Sequence, residues 1–186
     1  MLPIVVLLSG GIDSLVCAEQ ARRSGRLAGC VFVDYGHPAQ IPEGWKSFAY
    51  CGSRGVPLKV VHAFGIDLGD MGTEAGARVV PSRNALLLSA AANVARSMGA
   101  RGIEIGCNAA DQREYPDCRP SFLVAMATAL DISIAAPLLG LDKSRIIEEA
   151  RRLGLTRADA WSCYTPGPIE CGECPSCREA WAAWSR

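Results

Sequence analysis

The chain has 186 residues, 49% of them hydrophobic, and its 19 Lys and Arg residues balance its 19 Asp and Glu residues. This length and apolar content suit one domain with a proper core and a small appendage. The balanced charge argues against an overall positive field for nucleic acid, so we expect small-molecule substrates. No run of about eighteen apolar residues is present, and the start of the chain lacks the features of a signal peptide. We therefore expect a soluble, cytoplasmic protein with no membrane partner.

The first predicted unit is a strand, a tight loop and a helix. Ile4–Leu8 is a short apolar run rich in β-branched residues, which predicts a buried strand, and helix formers follow over Leu15–Arg22. Between them lies Ser9–Ser14, with the sequence SGGIDS. It is neither a Walker A motif nor the dinucleotide fingerprint G-x-G-x-x-G.

The SGGIDS loop has the composition of a phosphate site. Gly10 and Gly11 allow a sharp turn that brings backbone N–H groups close to a ligand. Ser9 and Ser14 add hydroxyl groups beside the unpaired amides of the helix start. A plain capped turn, in which Asp13 and Ser14 satisfy the first amides of the helix, is the alternative.

Strand and helix patterns alternate through the rest of the chain. The alternation predicts βαβ units with right-handed crossovers, and hence an open, doubly wound, Rossmann-like α/β fold with a parallel five-stranded sheet. One predicted helix is almost wholly apolar, so we expect it to be buried on most sides. The further predicted strands are Leu27–Val33, Pro57–Ala63, Gly102–Gly106 and Ile132–Leu138, and the helices are Gln40–Arg54, the apolar Ala85–Met98, Pro120–Leu130 and Lys143–Leu153.

Polar residues follow several of these strands. Asp34 and Tyr35 come directly after the second strand, and we expect them to face the same site as the SGGIDS loop. For Asp34, a simple turn residue is an equal alternative. A loop rich in Gly and Asp is predicted over Gly65–Gly76.

Two cations lie at predicted helix N-termini, where the helix dipole disfavours positive charge unless an anion is shared. Arg83 precedes the apolar helix, and Lys143 follows Asp142, a predicted N-cap. We interpret Arg83 and Lys143 as a second anion-binding wall opposite the SGGIDS loop. Solvent-exposed cations are the alternative for both.

Nine cysteines occur in the chain, and four of them have metal-like spacing near its end. The spacing C-x7-C-x2-C-x2-C suits a tetrahedral structural zinc site, with an iron–sulfur cluster as the main competitor. We predict a zinc segment at 156–186 that folds on the metal and packs on a domain at 1–155. The four predicted ligands are Cys163, Cys171, Cys174 and Cys177, and the small buried cysteines are Cys17, Cys30, Cys51, Cys107 and Cys118.

Several motifs together resemble a known family. They are SGGIDS, the Asp-Tyr-Gly at Asp34, VPSRN around Arg83, IGCNAAD, YPDCR at Tyr115–Arg119, Lys143, and the tail WSCY with CGECPSC. SGGIDS resembles the PP-loop of the ATP pyrophosphatase superfamily, whose fold is of the adenine nucleotide α-hydrolase type. Over nearly the whole chain, the set resembles the 7-cyano-7-deazaguanine synthase family of the queuosine and archaeosine routes.

The resemblance implies an ATP-dependent C–N ligase that converts 7-carboxy-7-deazaguanine and ammonia, through an amide, to the nitrile. It implies ATP with Mg²⁺, for which Asp13 is a ligand or a partner of a ligand, and it suggests a homodimer. We expect Ser9, Asp13 and Lys143 to be catalytic. The expected ATP-binding residues are Ser9, Gly10, Gly11, Ile12, Asp13, Ser14 and Arg83.

The YPDCR motif is the expected binding site for the deazapurine base. Asp117 would accept the N–H groups of its guanine-like edge, Tyr115 would stack on or cover the ring, and Arg119 would pair with the carboxylate or the adenylate. A helix-capping Asp117 is the alternative.

The chain departs from the family pattern in the loop after Gly36, at Glu114 and Arg145, and in a shorter segment before Arg83. Two other functions therefore stay open. One is another PP-loop adenylating enzyme, including a tRNA thiolase, and the other is a zinc-bearing interaction protein without chemistry.

Overall fold

A computed structural model describes residues 2–66, 68, 80, 82–165 and 167–185. Within them lies a parallel sheet of five strands in the order β3-β2-β1-β4-β5. This confirms the predicted sheet, with β1 at its centre. The strands are β1 (Ile4–Leu7), β2 (Leu27–Asp34), β3 (Leu58–His62), β4 (Gly102–Glu104) and β5 (Ser133–Ala135).

Helices connect the strands and cover both faces of the sheet, as expected for a doubly wound fold. One face carries a core cluster built from β1, α1, α2 and α6, with residues such as Leu15, Tyr50 and Ile146. The other face carries a second cluster from α3 and α5, centred on Leu88 and Leu123. The helices are α1 (Ile12–Arg23), α2 (Gln40–Arg54), α3 (Arg83–Ser97), α4 (Asp111–Glu114), α5 (Pro120–Leu130), α6 (Lys143–Arg152) and α7 (Pro175–Trp184).

Glu19 links α1 to α2. Its carboxylate is 2% exposed and accepts hydrogen bonds from Arg22 and Arg23 on its own helix, and from Tyr50 and Arg54 on α2. Burial would raise the pKa of Glu19, but these donors outweigh burial and lower its pKa to about 2. The link therefore holds above pH 4.5 and is lost as the pH falls towards 2.

Three predicted segments differ from the structure. The fifth strand ends at Ala135 because Pro137 cannot donate to a ladder and the chain then turns. The stretch 107–119, whose polar residues predict a loop, contains α4 and a 3-10 turn at Pro116–Cys118. The apolar helix α3 buries one face only, since Ser89 and Asn93 are exposed.

Other expectations are confirmed. The side chain of Asp142 caps α6 by accepting from the amide of Arg145, and Gly154 follows the end of that helix. The five cysteines outside the tail are buried. The predicted Gly-rich and Asp-rich loop lies mostly outside the described residues. In the described part of the chain, no helix combines the length and apolarity needed to cross a membrane.

Candidate active site

The candidate site lies at the carboxyl ends of the strands, next to β1. The chain moves outward from β1 through β2 to β3 and then returns to place β4 on the other side of β1. Ligands of open α/β sheets bind at such a switch point. The loops after β1 and β4 therefore meet there, and α1 begins at Ile12 inside the SGGIDS loop.

The SGGIDS loop is a tight turn held by its own serines. Gly10 has a φ of +76°, which side chains rarely tolerate, and an added Cβ would lie 2.4 Å from the backbone oxygen of Glu43. The Ser14 hydroxyl donates to the carbonyl of Gly11 at 2.8 Å and accepts from the amide of Ser9 at 3.2 Å. The Ser9 hydroxyl lies 3.3 Å from it.

The start of α1 is open to an anion. Its N-cap is Gly11, which has no side chain to satisfy the first amides. Neither Asp13 nor Ser14 caps these amides, so the alternative of a plain capped turn is not what the structure shows. The side chain of Ile12 is buried in the core, which leaves only its backbone to face a ligand.

Asp13 is held by two partners from distant parts of the chain. Lys143 Nζ donates to its two carboxylate oxygens at 2.9 and 2.8 Å, and Asn108 Nδ2 donates to Oδ2 at 2.9 Å. Burial would lower the pKa of Lys143, but Asp13 outweighs burial and raises it. Lys143 thus adjoins the SGGIDS loop and does not stand in a wall opposite it, which corrects our expectation.

Asn108 is a site residue that the sequence analysis did not single out. It is buried, lies four residues after the end of β4 and organises the loop there, since its Oδ1 accepts from the amides of Ala110 and Asp111. Gly106, just before it, packs on α1 so closely that an added Cβ would lie 2.9 Å from the amide nitrogen of Ser14. A polar residue in the loop after a predicted strand is the signal from which the sequence could have indicated Asn108 as a site residue.

Arg83 is the first residue of α3, which begins two residues before the predicted start at Ala85. It lies in a group that we call the Arg83 cluster: Tyr35, Glu43, Arg83 and Tyr164. The Arg83 guanidinium lies close to the Tyr35 hydroxyl and also faces Tyr164. Burial raises the pKa of Tyr164 to about 12, and burial also raises the pKa of Tyr35. His37 packs its ring between these two tyrosines, with centroids 5.8 and 5.5 Å away.

Tyr35 is thus brought to the site, as expected, while Asp34 is not. One Asp34 oxygen accepts from the amide of Gly36 at 3.1 Å, and the other lies 3.2 Å from Nδ1 of the exposed His62. These contacts support the simple turn residue that we kept as an alternative.

The YPDCR loop is fastened to the start of α3. Asp117 Oδ2 accepts from the backbone amide of Asn84 at 3.0 Å, and the Asn84 side chain donates back to the Asp117 carbonyl and towards the Cys118 sulfur. Asp117 therefore caps α3, whereas the expected alternative was a cap of the following helix. Its charge also faces Arg83.

The other two predicted base-site residues are placed differently. Tyr115 is half-buried, packs on the core cluster of α3 and faces Arg83 and Tyr164. Arg119 is exposed, and its Nε donates to the carbonyl of Gln112 at 3.3 Å. The described contacts of Arg119 do not include the Arg83 cluster.

The four tail cysteines come together. Their sulfur atoms all lie within 4.8 Å of one another, and three of the residues are buried. Backbone amides point at several sulfurs, including Cys174 N to Cys171 Sγ at 3.3 Å and Cys177 N to Cys174 Sγ at 3.4 Å. Such amides lower the pKa of Cys171 to about 6, which favours the thiolate that a metal binds. The cluster could hold a metal ion.

The cysteine segment also contacts the SGGIDS loop. The backbone amide of Trp161 donates to the carbonyl of Gly10 at 2.9 Å, and the indole donates to the carbonyl of Cys163 at 2.7 Å. Trp161 packs in one apolar cluster with Ala39 and three of the cysteines. The fold of this segment therefore bears on the shape of the loop.

A family model described as queuosine biosynthesis protein QueC matches residues 61–186. The chain belongs to the QueC family. Among the curated relatives, a protein of Sphingopyxis alaskensis named 7-cyano-7-deazaguanine synthase 1 is 37% identical over 94% of this chain and 90% of its own length. A protein of Rhizorhabdus wittichii named 7-cyano-7-deazaguanine synthase is 38% identical over 94% of this chain and 87% of its own length.

Two solved structures are similar to this chain in fold alone, because their sequence identity to it is low. NMN synthetase from Francisella tularensis has a TM-score of 0.57 at 18% identity, covering 92% of this chain and 71% of that chain. The U34-tRNA thiolase NcsA from Methanococcus maripaludis has a TM-score of 0.56 at 17% identity. That comparison covers 91% of this chain, which spans 60% of the length of NcsA.

Proposed function

We propose that this chain is the ATP-dependent ligase that converts 7-carboxy-7-deazaguanine and ammonia to 7-cyano-7-deazaguanine. Family membership supports the overall reaction. The observation that carries it in the structure is a pair of contacts. One joins Asp13 of the SGGIDS loop to Asn108, and the other joins Asn84 at the start of α3 to Asp117. These contacts support an anion site and a base-binding loop near the carboxyl ends of the strands.

The chemistry requires a nucleotide. A carboxylate oxygen is a very poor leaving group, so ammonia cannot displace it in water, and transfer of AMP to that oxygen converts it into a good leaving group. The resulting amide needs the same activation of its oxygen before it can lose that oxygen and become a nitrile. Two adenylations therefore accompany one nitrile.

We assign the phosphates of ATP to the SGGIDS loop. The backbone of Gly10 to Asp13 and the hydroxyls of Ser9 and Ser14 would bind them, because the amides of this helix start have no side-chain cap. Lys143, held beside the loop by Asp13, would neutralise charge on the α-phosphate together with Arg83. Ser9, Asp13 and Lys143 are the residues that we place at the reacting phosphate.

Mg²⁺ fits this site as a companion of ATP. Both oxygens of Asp13 accept from Lys143, and Oδ2 also accepts from Asn108, so the carboxylate already has hydrogen-bond partners. We infer that the phosphates of ATP supply the main ligands of Mg²⁺ and that Asp13 acts through Lys143 and Asn108.

We assign the base to the YPDCR loop. Among the described residues, Oδ2 of Asp117 accepts from Asn84, while Oδ1 has only a 3.9 Å contact with the Cys118 thiol. Oδ1 is therefore the oxygen that would accept a base N–H group. Tyr115 would cover the ring. Arg119 would have to leave the Gln112 carbonyl to reach a carboxylate.

We propose a zinc ion in the cysteine cluster, where four sulfurs within 4.8 Å match a closed tetrahedral site. Residues 156–186 form the zinc segment and 1–155 the ATP-binding domain. The contact of Trp161 with Gly10 supports a segment that packs on this domain.

We also propose a cytoplasmic homodimer that acts on small molecules and not on nucleic acid. The balanced charge supports small-molecule substrates. A surface that we call the α2 patch supports the dimer: Ile41, Trp45 and Phe48 on α2 and Val60 on the edge strand β3 are 50 to 68% exposed.

The test is the complete reaction. Purified protein with 7-carboxy-7-deazaguanine, ammonia and Mg·ATP should release AMP and pyrophosphate and form the nitrile, identified by its mass. The same protein without ammonia is the control. Absence of AMP under these conditions would sink the proposal, and AMP with a different product would point to another acceptor.

A further inference from the structure

Glu43 is a carboxylate in the candidate active site that the proposed roles do not use. It lies in the first turn of α2, and its backbone carbonyl packs against Gly10 of the SGGIDS loop. Its half-buried side chain belongs to the Arg83 cluster and faces Arg83, Tyr35 and Tyr164. Glu43 therefore lies between the loop assigned to ATP and Arg83, which faces Asp117 of the loop assigned to the base.

The contacts of the described residues do not explain why a carboxylate occupies this position. Within residues 2–66, 68, 80, 82–165 and 167–185, the Glu43 carboxylate makes no hydrogen bond and no ion pair, although Arg83 is near enough to influence it. Half-buried carboxylates usually have such partners. By contrast, buried Glu19 on α1 is held by three arginines and a tyrosine.

The proposed reaction needs a proton acceptor twice. When ammonia attacks the acyl adenylate, a C–N bond forms, the C–O bond to AMP breaks with its electron pair leaving on AMP, and the new nitrogen must lose a proton. When the adenylated amide becomes a nitrile, the C–O bond breaks in the same way. The amide nitrogen starts with two protons: it loses the first to water once adenylation has made it cationic and acidic, and it gives up the second as the third C–N bond forms. The base must lie beside the carbon that carries the adenylate.

We propose that the Glu43 carboxylate accepts these protons from the substrate nitrogen. The inference rests on the proposed function, because it assumes a nitrogen nucleophile and an adenylate. The backbone of Glu43 lies against Gly10, and its side chain faces Arg83. The carboxylate is therefore near the boundary between the proposed phosphate and base sites, where the carbon that carries the adenylate must lie.

The acidity of the group suits this role. Burial raises the pKa of Glu43 to about 8, and Arg83 offsets the effect only in part. An ordinary carboxylate is too weak a base to take a proton from nitrogen, whereas one with a pKa near the working pH is effective. The other groups that face it are Tyr35 and Tyr164, with His37 packed between those two rings.

The test uses the amide as substrate, because its conversion to the nitrile consumes no ammonia and so excludes the titration of ammonia itself. For the wild-type protein, the single-turnover rate of nitrile formation from the amide should rise with pH in proportion to the deprotonated fraction of Glu43 and level off above about 8. Glu43→Gln should lower nitrile formation by about 10²-fold or more and abolish this rise. Pyrophosphate release in the first turnover and the KM for ATP should not change.

Two further variants keep the result interpretable. Glu43→Asp keeps a base with a shorter reach, so it should retain the rise with pH at a lower rate. Glu148→Gln removes an exposed carboxylate on α6 and should behave as the wild type. Thermal melting of each variant checks the fold.

Two outcomes would overturn the inference and leave the proposed function standing. Equal nitrile formation by wild type and Glu43→Gln would exclude a base role. Loss of pyrophosphate release together with a higher KM for ATP would show that Glu43 only positions Arg83. If the wild type forms no nitrile from the amide, the proposed function fails and the inference fails with it.

Discussion

Asp13 and Lys143 meet in the candidate active site from opposite ends of the chain. Asp13 comes from the first turn of α1 and Lys143 from the first turn of α6, and both oxygens of Asp13 face the ammonium group. The pair is only partly exposed, at 17 and 19% of the two side chains. Loss of one partner would leave an uncompensated charge beside the place assigned to the phosphates.

We predict that Lys143→Met lowers kcat/KM for ATP by about 10²-fold, the usual cost of removing one group that stabilises developing charge. The double variant Asp13→Asn with Lys143→Met separates two roles. It should remain impaired if Lys143 contacts phosphate, and it should recover if Lys143 only neutralises Asp13. Initial rates at varied ATP concentration measure both.

Arg145→Met is the matched control, because Arg145 lies two residues further along α6 and is exposed. It should keep the wild-type rate. An equal loss in the control would trace the effect to α6 as a whole and contradict a specific role for Lys143.

Single residues differ in how far the sequence predicted them. Arg83 lies at the N-terminus of α3, as its place before an apolar run indicated, while its role as an anion ligand stays a prediction. Lys143 was placed opposite the SGGIDS loop, since sequence cannot show that Asp13 reaches it across the site. Glu43 and Asn108 were missed because burial and partners from distant elements, and not residue type, make them distinctive.

At the scale of elements, the alternation of apolar runs and helix patterns was sufficient for the sheet. Predicted bounds for α2 and α5 agree with the structure, because Gly55 and Asp131 end these helices in the left-handed conformation. The fifth strand was overestimated, since an apolar run does not reveal where a Pro stops a ladder at the sheet edge. The cysteine spacing correctly predicted four thiols in one cluster.

We predict that removing the metal from the cysteine cluster weakens ATP binding. A chelator should release about one zinc ion per chain, and the four thiolates would then repel one another. Trp161, which donates to Gly10, would lose its support, so the thermal melting temperature should fall and the KM for ATP should rise.

Metal analysis, melting curves and ATP kinetics before and after chelation measure this prediction. Re-addition of zinc should restore all three properties, while re-addition of Mg²⁺ alone should not. An unchanged KM for ATP after loss of the metal would separate the segment from the SGGIDS loop, and a visible chromophore would indicate iron.

At the scale of the whole molecule, the two core clusters leave the α2 patch uncovered. Trp45 and Phe48 are 67 and 63% exposed and lie with their rings edge to face, 6.3 Å apart. An edge strand beside such a surface favours pairing with another copy. Sequence could not predict this patch, because a pattern of apolar residues does not tell whether a helix face is covered by its own chain.

We predict that Trp45→Glu converts the protein to a monomer. A charge in the middle of an apolar contact leaves an unpaired buried group and should weaken association by at least about 10-fold. Sedimentation over a range of concentrations measures the change. Val124→Glu alters an equally exposed apolar residue on α5 and should leave the assembly intact. A monomeric wild type would show that the α2 patch does not join two copies.

The hydrogen bond from Trp161 to Gly10 has a consequence for biosynthesis. A ribosome produces the SGGIDS loop long before Trp161, the residue that braces it. A nascent chain can therefore build much of its sheet while its nucleotide loop still lacks this support. The loop should therefore reach its braced shape only after the cysteine segment has emerged and, as proposed, bound zinc.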